Sequence, residues 1–232
     1  MKLINIILLF CSLSCLGQVK NGTIEYGISI EMLEGLKENG PFKKLYSEAV
    51  NNAKNLNFNL NFNGQNSVFT ISNGLVVGDN NTQSTIMASG YRGVVYQSND
   101  ISYSEIEKGF GNYLLKNEPI DWVLENETKE IQGLLCFKAI SVKTIINTSG
   151  TFKFPIVAWY CPKIPLSFGP NGFGNLPGLI LELQVRNVLF GVKKIDLNQT
   201  KEPVLLSMKD YKIVTEKELE EIMQKKLRKN SF

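Results

Sequence analysis

Apolar and polar residues alternate along most of this chain, which is the pattern of β-strands that are buried on one face. In residues 22–32, isoleucine or tyrosine occupies every second position from residue 24 to residue 30. Residues 58–62 repeat this period, and the Asn63-Gly64 dipeptide that follows is typical of a hairpin turn into a further strand at 68–71. Further strands are predicted at 93–97, 101–106, 122–127, 134–143, 153–160, 179–185 and 188–197. This pattern predicts a mainly β, α+β domain on one curved antiparallel sheet, half-barrel or sandwich-like.

Two helices are predicted to cover this sheet. Residues 41–53 begin with a proline, which loses no hydrogen bond in a first helical turn, and carry apolar residues at helical spacing. Residues 216–228 follow a capping box in which Thr215 and Glu218 each bond the other's backbone N–H. Residues 78–84 are polar and are interpreted as a mobile loop between strands.

The amino terminus has the features of a secretory signal peptide. Lys2 precedes a short apolar run, and small or polar residues then lead to Gly17. The apolar run is too short for the roughly 20 residues that span a bilayer, which disfavours a membrane anchor. We therefore expect a signal peptide at residues 1–17 and one mature domain at 18–232, without a transmembrane segment. Lipid attachment at Cys15 is the alternative.

Charge and composition exclude several classes of function. The chain has 25 Lys and Arg against 22 Asp and Glu, a net charge of +3, and loss of Lys2 with the signal leaves +2. Because there is neither a basic aromatic stripe nor a nucleic-acid motif, no nucleic-acid partner is expected. The chain has no histidine, which excludes Ser-His-Asp triads, Cys-His dyads and the usual zinc sites. The sequence predicts neither a cofactor nor a metal.

Two cysteines, Cys136 and Cys161, remain after the predicted cleavage. If residues 134–143 and 153–160 form a hairpin that turns at Thr148-Ser149, its register places these cysteines opposite each other. A facing pair in an exported protein predicts a disulfide bond. Two buried free thiols are the alternative, since a disulfide requires a strict geometry.

A Pro/Gly-rich segment, residues 159–180, interrupts the strand pattern. Proline fixes φ and glycine permits positive φ, so this composition specifies one irregular backbone path rather than a flexible linker. The segment ends in Gly-Asn-Leu-Pro-Gly-Leu-Ile at residues 174–180.

Several separated motifs follow one another along the chain: Asp121-Trp122, Cys136, Trp159-Tyr160, Ile164-Pro165, Gly169-Pro170 and Leu176-Pro177-Gly178-Leu179-Ile180. In these motifs and their order, the chain resembles the GLPGLI family of exported Bacteroidetes proteins over nearly all of its mature length. Asn175 stands where the family usually has glycine, and asparagine tolerates left-handed φ better than most residues. The second departure is Leu134-Leu135, which replaces a more polar pair. The family has no known function, so the resemblance implies a location, in the periplasm or at the outer membrane or cell surface, and no reaction.

We expect a non-enzymatic binding or accessory protein of the cell envelope. A curved sheet leaves a concave apolar face, and the Pro/Gly-rich segment would present side chains at its rim. An apolar ligand, a peptide or an outer-membrane receptor would bind there. The predicted surface consists of Trp159, Tyr160, Pro165, Phe168, Gly169, Pro170, Phe173, Leu176, Pro177, Gly178 and Leu179. The alternative is that the aromatic residues plug one end of the sheet.

A carboxylate-dependent hydrolase acting on an envelope or extracellular polymer is the alternative function. Glu182, Asp121, Glu125 and Glu127 lie on or beside predicted strands and are the candidate acid and base. The pattern does not bring any two of them together. Their expected role is therefore that of solvated side chains or local partners of lysine and arginine.

Overall fold

The structure is a computed structural model that describes residues 19–33, 43–72, 80–91, 93–98, 100–106, 111–147, 150–199 and 208–229. The predicted signal peptide, residues 1–17, lies outside the described residues. So do residues 41–42 of the first predicted helix and residues 78–79 of the predicted loop.

A single open sheet of twelve strands forms the described part of the fold, which confirms a mainly β, antiparallel-rich protein. The strands are β1 (Asn21–Ile30), β2 (Asn57–Asn63), β3 (Asn66–Ile71), β4 (Val95–Ser98), β5 (Ile101–Glu105), β6 (Tyr113–Lys116), β7 (Val123–Ile131), β8 (Leu134–Asn147), β9 (Gly150–Cys161), β10 (Leu179–Val185), β11 (Val188–Leu197) and β12 (Lys212–Val214). Their order is β12-β6-β5-β4-β3-β2-β1-β11-β10-β9-β8-β7. All neighbours are antiparallel except β12, which is parallel to β6. The sheet does not close into a barrel, since β12 and β7 lie at its edges.

Both predicted hairpins are present, and the predicted register of β8–β9 is confirmed. Asn63 pairs with Asn66, so the turn between β2 and β3 consists of Gly64 and Gln65, and Gly64 supplies the positive φ of 53° at its first position. In the β8–β9 hairpin, Phe137 faces Tyr160 and Ala139 faces Ala158, as predicted. Both strands extend further toward the turn than the alternation of residues indicated.

Three helices lie in the described part of the chain: α1 (Lys43–Asn52), α2 (Asn80–Ala88) and α3 (Glu216–Lys229). A short 3₁₀ turn, Ala53–Asn55, continues α1. The capping box of α3 is confirmed, because the Thr215 N–H donates to Glu218 Oε2 at 2.7 Å and the Glu218 N–H donates to Thr215 Oγ1 at 3.3 Å.

Three elements differ from the sequence prediction. The predicted loop at 78–84 is wrong for residues 80–84, which begin α2. That helix has poor helix formers, and it is stabilised by packing against α1 and by burial of Thr85 and Ile86. Strands β6 and β12 were not predicted, because each is too short to show a period.

The main core lies on one face of the sheet, and ring contacts show that this face is concave. Phe69 on β3 and Phe190 on β11 have centroids 6.2 Å apart, although three strand spacings separate them. In a flat sheet that separation would be about 14 Å. A smaller cluster of Val68, Tyr96 and Leu114 lies on the other face and packs against Tyr211. None of the helices in the described ranges is long and apolar enough to cross a bilayer.

Candidate functional site

Residues 162–178 of the Pro/Gly-rich segment connect β9 to β10, and backbone hydrogen bonds join distant parts of the segment to each other. The N–H of Leu179 donates to the carbonyl of Ile164 at 3.0 Å, and the N–H of Ile180 donates to that of Phe168 at 3.0 Å. The N–H of Asn175 donates to the carbonyl of Ser167 at 2.9 Å. Since buried polar backbone groups must be paired, these bonds allow the segment to fold back into the core.

Side chains from distant elements hold the same segment. The indole Nε1–H of Trp122, just before β7, donates to the carbonyl of Gly174 at 2.8 Å. Gln97 on β4 donates from Nε2 to the carbonyls of Gly172 at 3.3 Å and Phe173 at 3.2 Å. Strands β4 and β7 lie in opposite halves of the sheet, so the segment is held from both halves.

Two glycines are required by close backbone approach. A Cβ on Gly178, which has a φ of 153°, would lie 2.4 Å from the carbonyl oxygen of Cys161. A Cβ on Gly174 would lie 2.4 Å from the carbonyl oxygen of Ser167. Asn175 adopts the left-handed conformation with a φ of 63°, which asparagine tolerates better than most residues.

Most of the predicted ligand surface is buried. Tyr160, Phe168, Gly169, Pro170, Leu176, Gly178 and Leu179 are buried, and Trp159 and Phe173 are half-buried. Pro165 and Pro177 are exposed. This placement favours the interpretation in which the aromatic residues plug the sheet, and it leaves the outer edge of the segment as the part that a ligand can reach.

That outer edge forms one wall of a cleft of about 750 Å³. The cleft is lined by Val19, Lys20, Asn63, Gly64, Gln65, Asp100, Pro165, Leu166, Ser167 and Phe168. Its opposite wall is built from the residues just before β1 and from the β2–β3 turn. Asp100, in the β4–β5 turn, is bonded to the segment: its carboxylate accepts from Ser167 Oγ at 3.2 Å and its carbonyl accepts from Asn175 Nδ2 at 2.9 Å.

Cys136 and Cys161 are both buried, free thiols in the structure, so the predicted disulfide is not formed there. Their side chains are nevertheless in contact. Burial, together with a smaller contribution from the neighbouring Cys161, raises the pKa of the Cys136 thiol to about 12. The neutral thiol is therefore the stable form at physiological pH, which makes Cys136 a poor nucleophile.

The candidate carboxylates are paired with lysines on the face opposite the main core. Lys138 Nζ lies 3.0 Å from Glu125 Oε2 and 2.9 Å from Glu127 Oε1. Glu182 forms an ion pair with Lys129, whose ammonium group also lies 4.5 Å from the ring centroid of Trp159. Glu125, Glu127 and Glu182 thus each have a local cationic partner, and the fourth candidate, Asp121, is an exposed side chain. Both outcomes are what the sequence led us to expect. Within the described ranges, no three His, Cys, Asp or Glu side chains gather as metal ligands would.

Sequence reasoning missed Gln97 and Asp100 as anchors of the segment. Gln97 is a buried polar residue at a position of β4 where the alternation predicts an apolar side chain. That departure from the alternation is the one signal in the sequence that indicates a role for it. Asp100 lies in a turn, where polar residues are ordinary. Trp122 was noted as part of a motif, but its partner could not be read from the chain.

Comparison with known proteins gives one family match and a distant structural likeness. Residues 151–182 match a family described as "Protein of unknown function (Porph_ging)". The match therefore falls on β9, the Pro/Gly-rich segment and the start of β10, which also carry the resemblance to the GLPGLI family. No curated protein matches the chain significantly.

Two solved structures of PNGF-II are similar. The one in space group P21 has 14% sequence identity and a TM-score of 0.50, and the match covers 89% of this chain and 34% of that chain. The one in space group C2 has 13% identity and a TM-score of 0.48, with 89% and 33% covered. The chain thus spans about a third of the length of these proteins. At this identity the likeness concerns the fold alone.

Proposed function

We propose that this protein is an exported, non-catalytic binding module of the cell envelope. Its ligand is an extended peptide segment of a partner protein, held in the cleft beside the Pro/Gly-rich segment. The observation that carries the proposal is the cleft itself, whose volume of about 750 Å³ is typical of binding sites. Its inner wall is fixed by hydrogen bonds, so little conformational entropy is lost when a ligand binds.

The lining favours a peptide over an acyl chain. Leu166 and Phe168 turn into the core, with only 7% and 5% of their surfaces exposed. The rest of the lining is mixed: the apolar Val19 and Pro165 lie beside the amides of Asn63 and Gln65 and the opposite charges of Lys20 and Asp100. Side-chain amides pair well with the N–H and C=O groups of an extended backbone. An acyl chain would need apolar walls instead.

The hydrolase alternative gains no support from the carboxylates. A glycosidase needs one carboxyl group whose pKa is raised and a second one facing it across the substrate. Here Glu125 and Glu127 share Lys138, and Glu182 has Lys129. These three carboxylates are held in local ion pairs by lysines, which suits a structural role rather than acid-base catalysis.

A peptide library tests the proposal. The mature chain, residues 18–232, would be applied to an immobilised synthetic peptide library, and binding to selected peptides would then be titrated. Gln65→Trp fills the cleft from an exposed position on the β2–β3 turn. Gln83→Trp is the matched control on the exposed surface of α2. We expect Gln65→Trp to weaken binding at least about tenfold, since blocked contacts of this size cost about 1.4 kcal/mol or more, and Gln83→Trp to leave it unchanged.

Three results would contradict the proposal. Absence of any bound peptide is the first, and equal binding by both tryptophan variants is the second. The third is cleavage of library peptides or of an envelope polysaccharide, which would assign the protein to the hydrolases. Binding of a fluorescent fatty acid that Gln65→Trp abolishes, without peptide binding, would replace the peptide with an apolar ligand.

A further inference from the structure

The β8–β9 hairpin projects beyond the rest of the sheet. Strand β7 pairs with β8 only as far as Ile140, and β10 pairs with β9 only as far as Ile156. In the described sheet, residues 141–147 and 150–155 have ladder partners only in each other, and we call them the arm. At its base, the N–H of Arg186 donates to the carbonyl of Pro155 at 3.4 Å. Six residues of strand extend about 20 Å. Pro155 fits this position, because a proline cannot donate to a neighbouring strand.

The arm carries exposed apolar side chains on both of its faces. Val142 is 57% exposed and faces Pro155, which is also exposed. Phe152, on the opposite face, is 41% exposed, and Phe154 beside it is half-buried under the guanidinium of Arg186. A two-stranded ribbon is marginally stable in water by itself. A flat protein surface would cover only one of its two faces, whereas insertion into an apolar layer covers both.

The charge of the arm indicates which kind of apolar layer it would enter. No aspartate or glutamate occurs between Glu130 and Glu182, and that interval contains Lys143 and Lys153. Lys143 and Lys153 belong to the arm, and the alternation of β-strands gives one to each face. Basic residues beside exposed apolar ones are typical of segments that bind the interface of anionic bilayers.

We infer that the arm inserts into the interface of a bilayer that contains anionic lipid. Val142 and Phe152 enter the boundary between headgroups and acyl chains, and the positive charge of the arm stays at the level of the phosphates. Strand β9 runs from the arm to the Pro/Gly-rich segment, so the membrane contact and the cleft lie at opposite ends of one strand. The arm would fix the protein to the membrane while the cleft faces away from it.

Vesicle sedimentation tests this inference. The mature protein would be mixed with vesicles of phosphatidylcholine alone, or of phosphatidylcholine with phosphatidylglycerol. We expect binding to the mixed vesicles only. Phe152→Ser should weaken it about tenfold through lost apolar burial, and Lys153→Glu should weaken it by about tenfold or more through reversed charge. The matched controls are Met87→Ser, at a side chain 73% exposed on α2, and Lys163→Glu, at an exposed lysine outside the arm. Both should bind as the parent chain does.

A Phe152→Trp variant reports insertion directly, because the emission of the added tryptophan should shift to shorter wavelengths when the protein binds mixed vesicles. The inference is overturned if the parent chain ignores the mixed vesicles, if the arm variants lose no more binding than their controls, or if the new tryptophan stays in water. Binding of polyglutamate by the arm without vesicle binding would assign it to an acidic protein partner instead. None of these measurements depends on the cleft. The membrane inference can therefore be refuted while the proposed function stands, and the reverse also holds.

Discussion

The hydroxyl of Tyr26 on β1 donates a 2.6 Å hydrogen bond to the carbonyl oxygen of Ile180. Ile180 is the last residue of the Leu-Pro-Gly-Leu-Ile motif, and the register of β10 with β9 shifts immediately after it. This shift is a β-bulge, in which Leu181 is an extra residue of β10 that has no partner in the ladder with β9. The fully buried phenol of Tyr26 thus pairs a carbonyl at the bulge, deep in the core.

A substitution at Tyr26 tests how much this hydrogen bond contributes to the stability of the fold. Tyr26→Phe removes the hydroxyl, keeps the ring and leaves the carbonyl of Ile180 buried with one partner fewer. We expect the free energy of unfolding in urea to fall by about 1–2 kcal/mol. Tyr103→Phe, at a half-buried ring on the opposite face, is the control and should cost less than about 0.5 kcal/mol. Equal effects of both substitutions would contradict the role of the bond.

Gly178 gives a sharper test of close packing. Gly178→Ala places a Cβ against the carbonyl of Cys161 in a conformation that L-residues rarely adopt. We expect a loss of roughly 2–4 kcal/mol, because both backbones must shift. Gly133→Ala is matched in having a positive φ of 75°, but its Cβ would meet nothing within 4 Å. It should cost only about 1 kcal/mol, and an equal loss in both variants would contradict the close approach.

The hairpins and the capped helix could be predicted because each depends on local chemistry. The β8–β9 register follows from a turn and a period of two, and the structure pairs Ala139 with Ala158 accordingly. The path of the Pro/Gly-rich segment could not be predicted, because Trp122 and Gln97 reach it from distant strands. The burial of Phe168 likewise depends on curvature of the whole sheet, which no local pattern encodes.

The disulfide bond between Cys136 and Cys161 remains a prediction, and it concerns the protein in an oxidising compartment. The two thiols are buried in contact, so oxidation would need little movement of the backbone. We expect protein recovered from the periplasm without reductant to take up no iodoacetamide when unfolded, and to take up two equivalents after reduction. A disulfide here should add about 3 kcal/mol to stability. Uptake of two equivalents before reduction would contradict the bond.

In the reduced protein the Cys136 thiol should produce a pH dependence of stability. Its pKa is about 12 when folded and near the ordinary 9.0 when unfolded. The neutral thiol is the form that the fold accommodates, so its contribution is present below pH 9 and is lost as the pH rises toward 12. Cys136→Ser removes this group while the buried tyrosines remain. The difference in unfolding free energy between parent and variant should therefore be constant up to about pH 9 and change in the variant's favour above it. Parallel curves throughout would contradict the raised pKa.

The rigidity of the Pro/Gly-rich segment underlies both the fold and the proposed cleft, and amide hydrogen exchange followed by NMR measures it most directly. The N–H groups of Asn175, Leu179 and Ile180 are bonded within the segment. We predict that they exchange as slowly as the amides of the central strand β1, and at least about a thousandfold more slowly than those of an exposed turn. Exchange of Asn175 and Leu179 at the rate of an exposed turn would show that the segment is a loose loop, and the cleft would then have no fixed wall.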